Sequence, residues 1–258
     1  MKSMSITRIN KLTRTVLLLG AVLMVPSAGW AVSFNEVQTA TNDAGDTIIS
    51  LAAQNLATGA LNIACFKWET PAVSINSVTD TAGNTYTLLT EQTHTGNEPH
   101  IRCAYVLSAT GNAANVVTAN LNGTGLYRRG VVYEFTYTGT AAFDVEVGAT
   151  EATADTTPSS NTLTTTGTEE VCIAAHSDFT GQTFSGHTIN GVAADGSTNL
   201  SDAAYWYKIF SATFTGGASS LTRTVTGNWL QRLQCFKVTA GGGGGGTARN
   251  LMLMGVGQ

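Results

Sequence analysis

Four aromatic residues in the second half of the chain could form a ligand-binding surface. Tyr205, Trp206 and Tyr207 are consecutive, and Trp229 begins the last predicted strand. Successive side chains of a strand point to opposite faces, so Tyr205 and Tyr207 share one face and Trp206 takes the other. Amphipathic rings favour half-wetted sites, where they stack on the apolar faces of sugars. We therefore expect an exposed carbohydrate-binding platform; the alternative is that these rings belong to the core.

Acidic residues offer a second chemistry, the acid–base pair of a glycosidase. Asp144 and Glu146 are two residues apart in FDVEV, which predicts that they share one face of a strand, and Glu134 lies in VVYEFTY. Two carboxylates in one cleft can hydrolyse a glycosidic bond. The fuller Glu-x-Asp-x-Glu pattern is missing, and a solvated acidic face explains the same residues. A polysaccharide hydrolase or lyase is therefore our third hypothesis, and no catalytic residue is assigned.

Oxygen ligands for a metal are concentrated in one short segment. Asp195, Asn199 and Asp202 lie within DGSTNLSD and carry the hard oxygen atoms that calcium prefers. The segment lacks the fixed features of an EF-hand loop, and an ordinary polar turn is the alternative. A structural calcium ion is the one cofactor that we consider.

Other catalytic and phosphate-binding motifs are absent from the sequence. There is no Gly-x-Ser-x-Gly motif, and the run of six glycines at 241–246 lacks the Lys-Ser/Thr that ends a phosphate-binding loop. His176, Ser177 and Asp178 are adjacent, but neighbours on a strand point to opposite faces. We therefore do not expect a catalytic triad here, and we expect His176 at a strand end or in a loop.

The distribution of charge argues against a nucleic-acid partner. The chain has 13 Lys and Arg against 17 Asp and Glu, a net charge of −4. Four of the basic residues lie in the first 31 positions, which contain no acidic residue, so 9 basic residues face 17 acidic ones in the remainder. Nucleic-acid binding needs a basic face, which this remainder does not provide.

Residues 1–31 have the three parts of an export signal. A basic segment at 2–14 precedes the apolar run VLLLGAVLMV, and Gly29 and Ala31 supply small residues before a cut ahead of Val32. Ten apolar residues are too few to cross a bilayer, which takes about 20. We expect a secreted, periplasmic or cell-surface protein with no membrane span after cleavage.

Periodicity predicts an all-β fold. Short alternating runs are broken by Gly, Asn and Asp at intervals of about 8–12 residues, which is typical of a two-sheet antiparallel β-sandwich. One such turn is DTAGN at 80–84. We expect one sandwich domain over 32–240, a glycine linker at 241–246 and a tail at 247–258. That tail could dock on the sheet edge of a neighbouring subunit.

The two halves of the chain also echo each other. AYVLSATGNAANVVTANL in the first half corresponds to KIFSATFTGGASSLTRTVTG in the second, and Cys65 aligns with Cys172. We predict an internal duplication whose halves pack as two sheets about a pseudo-two-fold axis, although any two β-meanders look alike. Cys65, Cys103, Cys172 and Cys235 could form disulfides in any pairing or remain buried thiols.

The order of NIACFKW, SVTDTAGNTYT, AYVLSAT and VVYEFTYTG resembles a group of secreted or phage-associated jelly-roll-like β-sandwich domains. The resemblance covers about residues 45–240. It implies a two-sheet fold and an exported or particle-surface role, and it implies no reaction and no site residues.

Our leading hypothesis is an exported, non-catalytic binding or adhesion module. Its ligand would be a glycan or another cell-surface molecule, contacted by Tyr205, Trp206, Tyr207 and Trp229. The alternative is a structural subunit of an extracellular or virion assembly that self-associates through a sheet edge or the C-terminal tail.

Overall fold

A computed structural model describes residues 32–94, 98–151, 155–179 and 181–239. The predicted signal peptide, the glycine linker and the C-terminal tail lie outside these residues. Every strand pair within them is antiparallel. Nowhere in the described ranges is there a helix with the length and hydropathy that a membrane crossing requires.

The first half of the chain contributes ten strands. They are β1 (Val32–Asn42), β2 (Asp46–Ser50), β3 (Gln54–Leu56), β4 (Leu61–Glu69), β5 (Ile75–Asp80), β6 (Thr87–Leu88), β7 (Gln92–Thr93), β8 (His100–Val106), β9 (Asn112–Asn115) and β10 (Val117–Tyr137).

The second half contributes eight strands. They are β11 (Thr140–Glu151), β12 (Glu169–Asp178), β13 (Phe184–Ile189), β14 (Val192–Ala193), β15 (Gly196–Leu200), β16 (Ala203–Phe210), β17 (Ser219–Arg223) and β18 (Trp229–Thr239).

Each half builds one main sheet, and the two main sheets have the same strand order. In the first half the order is β1-β10-β4-β8-β6, and in the second it is β11-β18-β12-β16-β15. In the first half, β1 pairs with β10 and β10 pairs with β4. In the second half, β11 pairs with β18 and β18 pairs with β12 in the same way. The two-sheet antiparallel sandwich predicted from the sequence is confirmed, and the shared order supports the predicted duplication.

Two pairs of stacked rings relate the main sheets by a pseudo-two-fold axis. Phe34 on β1 stacks on Tyr207 of β16 with 4.9 Å between ring centres, and Phe143 on β11 stacks on Tyr105 of β8 at 5.8 Å. Strand β1 therefore faces β16, and β11 faces β8. Since β1 corresponds to β11 and β8 corresponds to β16, the two contacts are equivalent. A β-bulge follows the phenylalanine in both first strands.

Each half also adds an outer layer to its main sheet, which the sequence did not predict. In the first half, β2 and β5 pair with the N-terminal part of β10, and in the second half β13 pairs with β14 and β17. Three apolar clusters result, one between the main sheets and one beneath each outer layer. Because both faces of the main sheets are covered, β4 and β12 are buried almost without interruption.

The four cysteines form two disulfides, but these are not equivalent in the two halves. Cys65 bonds to Cys103 between β4 and β8, and Cys172 bonds to Cys235 between β12 and β18. The first disulfide lies in the cluster between the main sheets, and the second lies in the outer cluster of the second half. The alignment of Cys65 with Cys172 is therefore wrong, because the two side chains point to opposite faces of corresponding strands.

The predicted turn at 80–84 is confirmed. Asp80 accepts hydrogen bonds from the backbone N–H and the side-chain amide of Asn84 at 2.8 and 2.9 Å, and Gly83 has a φ of 84°. A residue with a Cβ atom would be strained at that φ, so glycine is needed at this point of the turn.

Candidate functional site

The predicted aromatic platform does not exist as an exposed surface. Tyr205 and Trp206 are 0% exposed, Tyr207 is 7% exposed and Trp229 is 4% exposed. The predicted alternation is confirmed, since Tyr205 and Tyr207 lie in the cluster between the main sheets and Trp206 lies in the outer cluster. The expectation that one face would be open is wrong, because the outer layer covers the face that carries Trp206.

The predicted calcium ligands do not come together either. Asp195 accepts hydrogen bonds from Lys208 and from the backbone of Ile209, whereas the Asn199 amide donates to the carbonyl of Phe184. Asp195 directly precedes β15 and Asn199 lies within it, and a strand rises by about 3.3 Å per residue, so their Cα atoms are about 13 Å apart. Asp195, Asn199 and Asp202 therefore make separate contacts in the described structure, and a structural calcium ion stays a prediction.

Asp202, the third of these residues, pairs with cations of the first half. Its carboxylate forms ion pairs with the side chains of Lys67 and Arg129. Over the described ranges, no group of three or more His, Cys, Asp and Glu side chains is placed to hold a metal ion.

The candidate glycosidase carboxylates are also separated. The bulge in β11 lies between Phe143 and Val145, and it moves the following side chains to the other face of the sheet. Asp144 consequently contacts Thr166 and Lys237. Glu146 instead contacts Thr90 and Arg232. The prediction that Asp144 and Glu146 share one face is wrong for this reason.

Glu134, the remaining candidate, lies on β10 of the first half. It is 4% exposed, and its carboxylate accepts hydrogen bonds from Asn35 and from the backbone of Ala57. The three carboxylates therefore do not line a common cleft.

His176 lies within β12 and is fully buried, not at a strand end or in a loop as expected. Its Nε2 atom is 3.3 Å from the Asp178 carboxylate, and its Nδ1 atom is 3.3 Å from the amide oxygen of Gln231. Asp178 also forms an ion pair with Arg223. This network joins the second main sheet to its outer layer, and the side chains of His176, Asp178 and Arg223 are 0–1% exposed.

One end of the sandwich, in contrast, combines charge, exposed apolar groups and a cavity. Four segments meet there: the ends of β1 and β4, the bend in β10 and the turn between β15 and β16. Lys67 pairs with Arg129 across the β4–β10 ladder, and Asp202 approaches both from the opposite sheet. We call the group Asp43, Lys67, Glu69, Arg129 and Asp202 the end-face cluster.

The end-face cluster is a chain of ion pairs across the interface between the main sheets. Lys67 Nζ lies 2.6 Å from Asp202 Oδ2 and also contacts the Glu69 carboxylate. Arg129 Nε lies 2.7 Å from Asp202 Oδ1, and Arg129 Nη2 lies 2.7 Å from Asp43 Oδ1. Burial raises the pKa of the Glu69 carboxyl, against the opposing effect of the Lys67 ammonium.

Exposure within the end-face cluster changes from one end to the other. The side chain of Lys67 is 0% exposed, and those of Asp202 and Arg129 are 6% and 5% exposed. The Asp43 side chain, at 69% exposed, reaches solvent. The cluster therefore runs from a buried amine to a carboxylate that a ligand can contact.

A cavity of about 420 Å³ lies over the accessible part of the end-face cluster. It is lined by Thr41, Asn42, Asp43, Arg129 and Ser201.

One aromatic residue lies beside this cavity, since the backbone N–H of Tyr127 donates to the carbonyl oxygen of the lining residue Asp43. Tyr127 is 46% exposed, and its ring centre lies 5.9 Å from Lys67 Nζ. Phe179 and Val225 are 38% and 54% exposed, on segments of the second half that hydrogen bonds connect to the turn at Ser201 and Asp202. A ligand could thus meet the ring of Tyr127, the carboxylate of Asp43, the amide of Asn42 and the guanidinium group of Arg129 at one place.

Backbone strain is concentrated at the same place. Tyr127 and Ser201 are two of the four non-glycine residues that adopt positive φ in the described chain, at 45° and 58°. Such conformations cost about 1–3 kcal/mol each and cluster at functional sites. The strain therefore marks this end of the sandwich independently of its charge.

Sequence reasoning missed the end-face cluster, although one signal was present. Lys67 interrupts the otherwise apolar strand NIACFKW, and a buried lysine requires a partner. The partner, Asp202, is 135 residues away, and no local pattern connects the two.

Comparison of the chain with protein-family models, with curated proteins and with solved structures finds no match. The resemblance to secreted jelly-roll-like domains therefore remains a prediction, and the function must be argued from the end face itself.

Proposed function

We propose that the protein is an exported binding module that holds a hydroxyl-rich ligand, such as a surface glycan, on its end face. The observation that carries the proposal is the cavity of about 420 Å³, together with the half-exposed Tyr127, whose backbone N–H donates to the carbonyl oxygen of the lining residue Asp43. Sugars are recognised by planar polar groups at their hydroxyls and by an aromatic ring at their apolar face. Asp43 and Asn42 supply such polar groups, and Tyr127 supplies the ring.

The site suits a neutral ligand better than a strongly charged one. Arg129 is already paired with Asp43 and Asp202, so its charge is largely compensated. The groups that line the cavity offer both donors and acceptors, which matches the mixed hydrogen bonding of sugar hydroxyls. Glycan binding thus stays our leading function, with the end face in place of the buried aromatic residues.

A structural subunit remains the second candidate function. Strands β1 and β11 are 11 and 12 residues long, and within the described chain each pairs with one neighbour only. Long strands with one free edge can add a strand from another chain.

The test is a glycan array probed with residues 32–258 and with two variants, with and without calcium. Asp43→Asn removes the exposed carboxylate charge, and Tyr127→Ala removes the ring. We expect Asp43→Asn to weaken binding about tenfold or more, because a hydrogen bond to a charged group contributes about 1.5–3 kcal/mol. Tyr127→Ala should also weaken binding, because it removes the ring that packs on the apolar face of the sugar. Calcium should make no difference.

Two control variants separate binding from folding. Asp46→Asn removes a carboxylate that lies near Arg128, much as Asp43 lies near Arg129, but it lies outside the cavity. Tyr127→Phe keeps the ring, and we expect both controls to bind as the wild type does. A blank array from folded protein would contradict the proposal and favour the structural subunit.

A further inference from the structure

The buried part of the end-face cluster holds the three groups that an intramolecular amide bond needs. These are an amine, a carboxyl carbon and a second carboxyl that can carry protons between them. We propose that Lys67 and Asp202 become joined by an isopeptide bond between Nζ and Cγ, with Glu69 as the proton-transfer group. The bond would link the two main sheets covalently, and it does not depend on the proposed binding function.

Geometry places the reacting groups together before any reaction. Lys67 Nζ is 2.6 Å from Asp202 Oδ2, and it also touches the Glu69 carboxylate, two residues further along β4. The two partners belong to β4 and to the β15–β16 turn, so the sheets on either side hold them in place. Holding two reactants at contact distance in a rigid frame removes most of the entropic barrier to their reaction.

The surroundings favour the loss of water. Lys67 is 0% exposed, and its Nζ atom lies over the ring of Tyr127, 5.9 Å from the ring centre. A buried ammonium and carboxylate each lose their hydration, and this cost disappears when the two become a neutral amide. The neighbouring cavity, which Ser201 and Arg129 line, gives the released water a way out.

Arg129 is placed to stabilise the charge that develops in the reaction. Its Nε atom lies 2.7 Å from Asp202 Oδ1, the oxygen that Lys67 does not contact. Electron density moves onto this oxygen when the amine adds to Cγ, and a fixed cation there lowers the barrier. After the reaction Arg129 still has Asp43 as its ionic partner at 2.7 Å, and the Glu69 carboxylate, whose side chain is 12% exposed, can accept a hydrogen bond from the new amide N–H.

The step balances without an external reagent. Glu69 takes one proton from the Lys67 ammonium, and the neutral amine forms the Nζ–Cγ bond. Glu69 then passes that proton and a second one from nitrogen to Oδ2, the Cγ–Oδ2 bond breaks, and Oδ2 leaves as water. The products are one amide, one water molecule and the original Glu69 carboxylate. Burial raises the pKa of Glu69, which helps it to hold a proton between these transfers.

The chain contains a matched pair in which we do not expect the reaction. Lys208 Nζ is also 2.6 Å from an aspartate oxygen, that of Asp195. Their side chains are 17% and 32% exposed, and no second carboxyl contacts this amine among the described ion pairs. Water stabilises the charged forms there, and no group is present to transfer the protons.

The experiment is intact-mass spectrometry of the purified mature chain after its disulfides are reduced. We expect a mass lower by one water molecule than the mass its sequence requires. Tryptic digestion should show no cleavage after Lys67 and a branched peptide that joins Lys67 to Asp202. Lys208 and Asp195 should appear in ordinary linear peptides.

Three variants test the assignment. Lys67→Met and Asp202→Ala remove a reacting group, and Glu69→Gln leaves both in place but removes the proton-transfer group. We expect each variant to have the full mass of its sequence. A wild-type chain with its full sequence mass, even after prolonged incubation, would overturn the proposal whether or not the variants fold. A crosslink that forms equally well in Glu69→Gln would overturn the role of Glu69.

Discussion

At the scale of single residues, Glu170 and Asp144 show how packing shifts the pKa values of two neighbouring carboxyl groups in opposite directions. Burial raises the pKa of Glu170 to about 8. At Asp144 burial acts in the same direction, but hydrogen bonds from Thr166 and Glu170 and the charge of Lys237 together outweigh it and lower the pKa. The neutral Glu170 carboxyl can then donate a hydrogen bond to the Asp144 carboxylate. A proton is therefore part of the folded structure at neutral pH.

This pair predicts that the folded state loses stability as the pH rises. The folded chain keeps the Glu170 proton up to about pH 8, but the unfolded chain releases it near the ordinary value of 4.5. The contribution of Glu170 to the stability of the folded state is complete below about pH 4.5 and is lost as the pH approaches about 8. Glu170→Gln should remove this loss, so the variant should be the more stable protein at about pH 9 and gain little at about pH 5.

Denaturant unfolding at both pH values measures the effect. Parallel pH profiles for wild type and Glu170→Gln would contradict the assignment.

At the scale of elements, a bulge and two disulfides decide which side chains meet. The bulge in β11 separates Asp144 from Glu146, although strict alternation would place them together. The disulfides join strands that already pair, so they restrict the unfolded chain more than they shape the folded one. They close segments with sequence separations of 38 and 63 residues.

Removal of either disulfide should cost about 4 kcal/mol of unfolding free energy, because the unfolded chain regains the entropy that the crosslink had removed. The two costs should be similar, since this entropy depends only weakly on loop length. The paired variants Cys65→Ala/Cys103→Ala and Cys172→Ala/Cys235→Ala test this by denaturant unfolding. The second pair closes the longer loop, and its removal should cost slightly more. A cost below about 1 kcal/mol for either pair would show that this disulfide constrains the unfolded chain very little.

At the scale of the whole molecule, the halves depend on each other through the cluster between the main sheets. Each half has an outer core of its own, but residues such as Ile63, Tyr133 and Phe135 are buried in the cluster that the two main sheets share. An exposed apolar face of this kind drives association.

The isolated first half, residues 32–138, should therefore not persist as a monomer. We expect dimers or larger species, because the pseudo-two-fold arrangement lets a second copy cover the same face. Sedimentation at increasing concentration measures this, with residues 32–258 as the control. A stable monomeric half would show that the shared cluster is dispensable for folding.

The sequence by itself determined the local features of this protein. Alternation showed that Tyr205 and Tyr207 oppose Trp206, turn residues located the hairpin at Asp80, and periodicity indicated a β-sandwich. These features depend on residues close together in the chain, so a short window of sequence contains their cause. The export signal and the function remain predictions.

Only the tertiary structure decided what covers each face and which charges meet. Trp206 is buried because an outer layer packs over its face, and that layer is contributed by distant strands. Lys67, Arg129 and Asp202 form one cluster because two sheets from different halves meet at one end. Alternation assigns a side chain to a face, but whether that face meets solvent or another sheet depends on packing between residues far apart in sequence.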